Sequence, residues 1–566
     1  MGRDVGDRLV EALLAGGIDA MFGVPGGQTL PLYAAARRRG MRHVIMRDER
    51  AAACAADACA RVSGRIGVCD ATVGPGATNL VSGLAEAFAS SIPLLAIIAD
   101  VPTSWGHLRR RGVASQALEQ APLLAPVTKW VARVERADAL DEMLDHALRV
   151  ATTGRPGPVV LEIPDDVFQA DPGAARRRFE PDAFASPRQR PAPARDALES
   201  ALRLIAAAHR PLVLAGGGVH LSGAAEAVTR LAETTGIPVA TTLNGKGALD
   251  EHHPLAAGVV GIFGDVRAGR ALAAADLVLV LGSKLDQLST FTFRLPGPGQ
   301  RVIHVDVDAE EIGRTAPVEL GLCADVRETA LALADRLKGG TLALERGWQD
   351  GLETGGQPGT RTDDPAIPPE RVVATLSDAL GPGDVLLCDA SLASGWGGQH
   401  YRVKHAGRGY LAPRGLAGIG WAGGAAIGAR MGLAPQRKLV CLAGDGGFSY
   451  AMAELETAVR WRLDLVYVVL NNASLAWIRH TEQFKGMEPT SDLGEIDFAA
   501  VARAMGAAGE RIESIAALPD ALARALERGG PTVLDVRTSR DASPMVGLRA
   551  VGAGDRAATR RALRAA

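Results

Sequence analysis

Short apolar runs alternate with longer stretches in which apolar residues return at helical spacing, and this alternation carries through most of the chain. In residues 1 to about 170, "DAMFGV", "HVIM" and "VCDAT" read as strands, and the stretches opening at Thr29, Glu49 and Ala77 read as helices. Strands of this length set between helices predict a parallel α/β sheet. The stretch "FEPDAFASPRQRPAPARDA" then loses all periodicity and reads as a linker. A second α/β unit over about 192–340 carries "PLVLAGGG", "PVATT", "LVLVLG" and "VIHVDVD". After a second linker, "GLETGGQPGTRTDDPAIPPE", a third unit over about 365–540 carries "DVLLCDA", "KLVCLAG", "LVYVVLNN" and "PTVLDV". The expectation is an α/β chain of three doubly wound parallel-sheet domains, followed by a tail at 541–566. No short repeat is visible, although the three units share a rhythm.

Composition narrows the function classes. The formal net charge is -2, with no basic block for nucleic acid, and aromatics at 4% are too sparse for base-stacking surfaces. The opening "MGRDVGDRLVEALLAGG" is amphipathic and acidic, unlike a signal peptide, and the longest apolar candidate span is broken by Glu86 and Pro93. These features predict a soluble cytoplasmic protein that binds neither nucleic acid nor membrane. The six Cys show no paired spacing and read as reduced, buried small hydrophobes.

One stretch carries chemistry. "KLVCLAG" runs into Gly444-Asp445-Gly446-Gly447; Met452, Leu455, Ala458 and Val459 then recur at helical spacing from Ser449, and "LDLVYVVLNN" ends on Asn471-Asn472. A right-handed β-α-β crossover sets the two strands parallel, with Asp445 and Asn472 at the carboxyl edge where open α/β sheets bind ligands. A carboxylate, an amide oxygen and a backbone carbonyl are hard donors suited to Mg²⁺. The N–H groups of Gly446 and Gly447 at a helix start suit phosphate. A dinucleotide fingerprint would need a third Gly where Ser449 stands, and a P-loop would need Lys-Ser/Thr after the glycines. A plain structural turn would leave the Asn pair without a task.

Gly-Asp-Gly followed at this spacing by Asn-Asn resembles the signature of thiamine diphosphate (ThDP) enzymes, and nearly the whole chain is similar to the acetohydroxyacid (acetolactate) synthase group. The resemblance implies a pyrimidine-binding domain, a central domain and a diphosphate-binding domain, in that order. "MRDERAAACAADACARVSG" matches the segment around the activating glutamate and implies Glu49, which would hydrogen-bond the cofactor's pyrimidine N1′. "TVGPGATN" implies Gly74, Pro75 and Asn79 beside the aminopyrimidine. "PRGLAGIGWAGGAAIGA" implies Ile419 as the wedge between the cofactor's rings, with the Ala417 and Gly418 backbone facing the pyrimidine. "NNASLAW" implies Asn472 and the Ser474 carbonyl on Mg²⁺ with Asp445, and Leu475 and Ala476 beside the cofactor, as is Ser391. In the family, Glu49 and the diphosphate cradle act from different subunits, which implies a homodimer or homotetramer and an inactive monomer. The tail segment "DASPMVGLRAV" implies a lid from about Ser543.

The chain also departs from the pattern. Asp48 stands where the synthases have His, and Ser115-Gln116-Ala117 stands where they have Phe-Gln-Glu, keeping Gln116 as a candidate catalytic residue without the acid. Thr481-Glu482 falls where a Trp selects the second oxo acid, and Ser391, Leu392 and Ala393 replace a Gln-His pair. His107, Arg109, Arg110, Arg111, Trp477, Arg479 and His480 are candidates to line a pocket for an anionic or polar substrate, with a solvated loop the plain alternative for the Arg run. In the central domain, "AGGGVH", "LNGKGALDEHHPL" and "GIFGDVRAG", with Asp286, Asp306 and Asp325, resemble the region that holds FAD. "GSKLDQ" lacks the Arg expected near Asp286, so FAD is a candidate and no more.

The resulting expectation is a ThDP- and Mg²⁺-dependent carboligase that decarboxylates a 2-oxo acid, pyruvate first, and passes the carbanion to an acceptor carbonyl. The alternative is a ThDP-dependent decarboxylase or carbon–carbon lyase. A scaffold that merely kept the fold has no need of Glu49, Asp445 and Asn472 together.

Overall fold

The computed structural model describes residues 4–340, 342–345, 347–348 and 366–545, with Arg111 described for its backbone alone. Three parallel six-stranded sheets stand among these residues. The first holds β1 (Ala20–Gly23), β2 (Arg42–Ile45), β3 (Gly67–Ala71), β4 (Leu94–Asp100), β5 (Trp130–Arg133) and β6 (Val159–Pro164). The second holds β7 (Pro211–Ala215), β8 (Val239–Thr241), β9 (Ala256–Val259), β10 (Leu277–Leu281), β11 (Arg301–Asp306) and β12 (Leu320–Cys323). The third holds β13 (Val385–Cys388), β14 (Tyr410–Leu411), β15 (Leu439–Gly444), β16 (Val466–Asn471), β17 (Ala508–Ile512) and β18 (Thr532–Arg537).

Strand order separates the three sheets into two kinds. The first runs β2-β1-β3-β4-β6-β5 and the third β14-β13-β15-β16-β18-β17, the same order counted within each domain. The central sheet runs β9-β8-β7-β10-β11-β12, the order of a dinucleotide-binding sheet. Central strands such as β10, "LVLVL", are buried throughout, because helices cover both faces of a doubly wound sheet. Edge strands such as β5 and β17 are largely half-buried and carry the polar residues that hid them in the sequence.

Helix starts differ from the sequence reading in instructive ways. Thr29 closes a short 3₁₀ turn and the helix proper is Leu30–Arg39. The helix expected from Ala77 begins at Pro75, whose fixed φ suits a first helical turn. The helix expected from Ser449 is two helices, Asp445–Ala451 and Glu454–Arg460. It starts early because the chain turns into it directly after β15, which only bare glycines allow. A Cβ on Gly446 would lie 2.6 Å from Leu475 Cδ2, and one on Gly447 2.1 Å from Asp389 Oδ2. All six cysteines are free; four are buried, Cys59 is half-buried and, against expectation, Cys323 is exposed at the end of an edge strand.

The first and third domains are joined by a helix pair. Helix Glu49–Ser63 is alanine-rich and capped by Asp48, whose side chain accepts the Arg50 N–H at 2.6 Å. Helix Trp421–Gly432 lies against it at backbone distance. A Cβ on Gly424 would sit 2.4 Å from the Ala51 carbonyl oxygen, and one on Gly428 1.8 Å from that of Ala55. Beside this seam, Arg61 binds Asp57 through Nε at 2.7 Å and Glu86 through Nη2 at 3.3 Å, and Trp421 Nε1 donates to Asp57 at 2.9 Å. Burial and the Arg61 charge act in opposite directions on Asp57, and burial prevails, raising its pKa above the usual carboxylate value.

Among the described residues no helix is long and apolar enough to cross a membrane. At the start of the tail, Gln399 donates to the Pro544 carbonyl. The rest of the expected lid, from residue 546 onward, lies outside the described residues.

The seam predicts that Gly428→Ala loses about 1–3 kcal/mol of stability, the usual cost of an overpacked contact. Gly27→Ala, which meets open space, should stay within about 0.5 kcal/mol of the parent. Thermal or urea denaturation of the two variants side by side checks both.

Candidate active site

The third sheet reverses its strand order between β13 and β15, and a cleft of about 60 Å³ opens at their carboxyl ends. Ser391, Leu392, Ile419, Asp445, Asn472 and Ser474 are among the residues that line it. Asp445 is buried, accepting the Gly446 N–H on Oδ1 at 2.7 Å and the Asn472 N–H on Oδ2 at 3.0 Å. Burial raises its pKa, and backbone N–H groups at Gly446, Ala473, Asn472 and Ser474 oppose the rise.

The two asparagines divide their work. Asn471 turns inward, donating to Asp535 at 2.8 Å and to the Ile496 carbonyl at 2.9 Å. Asn472 aims Oδ1 into a buried position where no protein donor meets it. A buried carbonyl-type oxygen without a donor is costly unless something positive arrives. Next to it, Ala473 is held at φ +52 and Ser474 is 3% exposed.

The loop bearing Ile419 enters the cleft under similar constraint. Ala417 has φ +61, and Asp389, just beyond β13, accepts the N–H groups of Gly420 at 2.9 Å and Ala422 at 3.1 Å. Ser391 has φ +65 and ψ -142 at the start of helix Leu392–His400. Gln116, Ser391, Ala417 and Ala473 are thus non-glycine residues at positive φ, each at or beside an expected site position. Backbone strain gathers where function over-determines conformation.

The first-domain candidates form their own cluster. Glu49 is buried at its helix start and accepts from Asn79 Nδ2 at 2.9 Å. A Cβ on Gly74, at φ +68, would meet the Gln116 carbonyl oxygen at 2.0 Å, so the Gly74–Pro75 turn and Gln116 touch through backbone. The Pro75, Asn79 and Gln116 residues are exposed. None of Glu49, Gly74, Pro75, Asn79 or Gln116 lines the Asp445 cleft. One chain therefore carries two separate clusters of expected site residues.

Family models described as the thiamine pyrophosphate enzyme N-terminal TPP binding domain, central domain and C-terminal TPP binding domain match residues 3–123, 198–333 and 389–536. A probable acetolactate synthase large subunit of Methanocaldococcus jannaschii is 34% identical over 565 residues, covering 95% of this chain and 93% of the relative. The acetolactate synthase large subunit of Parasynechococcus marenigrum is 34% identical over 570 residues, covering 95% and 88%. Acetolactate synthase 2, chloroplastic, of Zea mays is 32% identical over 552 residues, covering 94% and 84%.

The chain belongs to the thiamine pyrophosphate enzyme family.

In this thiamine pyrophosphate enzyme several polar residues that sequence reading passed over support the two clusters. Asp389 was visible only as the end of the "CDA" strand. Gln120 is buried and accepts the Gly74 N–H at 2.9 Å, while its Nε2 donates to the Ala99 carbonyl at 3.1 Å and to Glu162 at 3.4 Å. Burial, with the nearby Asp100 charge, pushes Glu162 up to about 7.

The pocket for an anionic or polar substrate suggested by the Arg-rich segments does not assemble within one chain. Arg109 is bound to Asp100 at 2.8 Å, and Arg479 to Asp492 at 2.7 Å. Arg110 is exposed beside Glu119, and His107 is exposed. His480 meets the Ala542 carbonyl at 3.0 Å, and Trp477 packs edge-on against Phe263. The side chain of Arg111 lies outside the described residues.

A larger cavity of about 460 Å³ opens at the switch point of the central sheet. Gly217 and Gly218 follow β7 there, Gly282 and Ser283 follow β10, and Arg155 and Arg414 reach in from the other two domains. Asp306, at its edge, is pushed up to about 6 by burial. Asp286 accepts the Leu288 N–H at 2.9 Å, and Asp325 caps helix Val326–Leu337.

Glu162 generates a pH prediction. Its folded value of about 7 lies above the ordinary 4.5, so the folded protein keeps a proton that the unfolded chain has released. That contribution to stability is full below about 4.5 and is lost as pH rises through about 7. Glu162→Gln should therefore be more stable than the parent at pH 8, with the gap closing toward pH 4. Urea midpoints at the two pH values decide it; a gap independent of pH would show that the carboxyl does not titrate there.

Proposed function

We propose that the protein is a ThDP- and Mg²⁺-dependent carboligase that decarboxylates a 2-oxo acid, pyruvate first, and transfers the two-carbon unit to an acceptor carbonyl. The observation that carries the reading is Asn472 Oδ1, buried without a donor beside Asp445 at the switch point. Two hard oxygens there, with the Ser474 carbonyl, fit Mg²⁺, which leaves its remaining positions to a diphosphate and water. Among the described residues no group of three His, Cys, Asp or Glu offers a competing metal site. When bound, ThDP supplies an electron sink for the carbanion left by decarboxylation.

The chain's own residues do the rest. Asp445 and Asn472 hold the metal, and Gly446 and Gly447 keep side chains out of the diphosphate's way. Ile419 fills the cleft from the loop fixed by Asp389. Glu49, oriented by Asn79, holds a proton at the pyrimidine N1′, and Gln116 orients the second substrate. Because Glu49 and Asp445 lie in separate half-sites, a homodimer or homotetramer completes each site with Glu49 from the partner.

The missing acid at Ala117 and the unassembled pocket for an anionic substrate favour a second reading, in which a proton replaces the acceptor and the enzyme is a decarboxylase or lyase. Incubation with ThDP, Mg²⁺ and pyruvate, alone and with added aldehydes or 2-oxo acids, separates the two by product. No CO₂ release from any 2-oxo acid tested would sink both. For the larger cavity, the central strand order and the Arg414 cation support a dinucleotide such as FAD, while Arg155 is already bound to Glu311 at 2.7 Å; flavin absorbance in the purified protein is the check.

Glu49→Gln keeps the shape of the side chain and loses the charge. Hydrogen–deuterium exchange at C2 of bound ThDP should slow by about 10²–10⁴. Exchange at the parent rate would remove Glu49 from this role. Asp445→Ala should bind ThDP far more weakly than the parent in calorimetry. Mixing the Glu49→Gln and Asp445→Ala chains should restore activity that neither has alone, since a mixed dimer holds one intact cleft. No recovery on mixing, with exchange of subunits verified, would mean that each chain completes its own site.

A further inference from the structure

Glu86 sits on helix Pro75–Ser90 of the first domain and is 3% exposed. Its carboxylate reaches into the third domain. Oε1 accepts the Gly415 N–H at 3.0 Å, and Oε2 accepts the N–H groups of Leu416 at 2.8 Å and Ala417 at 2.9 Å. Ser90 Oγ donates to Oε1 at 2.6 Å, and Arg61 Nη2 approaches it at 3.3 Å.

Three consecutive backbone N–H groups thus converge on one carboxylate from another domain. The last belongs to Ala417, the residue at φ +61. On the far side of the loop, Asp389 takes the N–H groups of Gly420 and Ala422. Gly418 and Ile419 lie between these two clamps, and Ile419 lines the Asp445 cleft.

Charge balance with Arg61 does not account for Glu86. Asp57 already binds Arg61 through two bonds of 2.7 and 3.0 Å. The Glu86 bonds to the loop are shorter than its contact with Arg61. A carboxylate offers acceptors only, which three N–H groups require; an amide in its place would turn a donor toward at least one of them.

We propose that Glu86 is a positioning residue for the cofactor: it fixes Gly415–Ala417 and thereby sets the Ala417–Gly418 backbone and Ile419 against bound ThDP. The proposal rests on the ThDP reading of the cleft. Ile419 then owes its placement to the first domain of its own chain, whereas the proposed activator Glu49 comes from the partner's first domain.

The test uses the full-length protein with ThDP and Mg²⁺ in calorimetry, alongside the thermal midpoint without cofactor. Glu86→Gln should bind ThDP at least about tenfold more weakly than the parent, the loss expected when a buried charge-assisted bond is removed. Ser90→Ala removes a hydroxyl that donates to the same carboxylate and lies beside Gly415, but leaves the three loop bonds to Glu86 in place, and should bind like the parent. Glu86→Asp keeps the charge beside Arg61 but withdraws it from the loop, and should also weaken binding if the Gln variant does not fold. Parent-like affinity in Glu86→Gln or Glu86→Asp, whatever the thermal midpoint, overturns the proposal. So does an equal loss in Ser90→Ala. A parent that fails to bind ThDP brings down the functional reading and this proposal with it, which a Glu86 variant binding normally does not.

Discussion

The seam between helices Glu49–Ser63 and Trp421–Gly432 holds the first and third domains of one chain together. It is a contact of backbone on backbone, because Gly424 and Gly428 leave no room for a methyl group over the Ala51 and Ala55 carbonyls. Dispersion contacts at that range are individually small and collectively large, and they vanish with a slight separation. Trp421 Nε1 crosses the seam to donate to Asp57, and so ties the buried first-domain cluster of Asp57, Arg61 and Glu86 to the later helix. A buried polar group that loses its partner is destabilising, so this bond and the glycine contacts hold the two helices in one register. From that register follow the placement of Glu49 at one end of its helix and of Ile419 just ahead of the other.

The first and third domains share one strand order and differ in what stands at the switch point. In the third, β13 and β15 run into Asp389 and Asp445, and the edge bears the features expected of a cation and diphosphate cradle. In the first, the corresponding edge carries the Gly74–Pro75 turn and Glu49, which are suited to a heterocycle. The central domain uses a different order and opens a different cavity. Position in the fold set where ligands go, and the side chains at each edge set which chemistry.

Much of this was legible because it is local. Continuous apolar strands and the Asp445 to Asn472 crossover announce themselves in a few dozen residues. The edge strands β5 and β17 did not, since half-buried strands tolerate polar residues. The early start of helix Asp445–Ala451 was hidden because Gly446 and Gly447 look like turn residues until Leu475 and Asp389 are seen above them. Glu86, Gln120 and Asp389 were illegible as site residues, since their partners lie far off in the chain or are backbone groups that leave no mark in the sequence. The Arg residues misled for the opposite reason: Asp100 and Asp492, which occupy Arg109 and Arg479, could be paired with them only in three dimensions.

The smallness of the side chains along the seam also bears on the order of synthesis. Helix Glu49–Ser63 leaves the ribosome roughly 360 residues before its partner, a wait on the order of tens of seconds at ordinary elongation rates. A leucine-rich face left open for so long would invite association with neighbouring nascent chains. Alanines expose little apolar area each, so the unpartnered face is cheap to hydrate. The later helix, rich in glycine, has poor intrinsic helicity and would gain order by condensing on the waiting template. A surface built for close approach is thus also one that can be left in water without harm until the rest of the chain arrives.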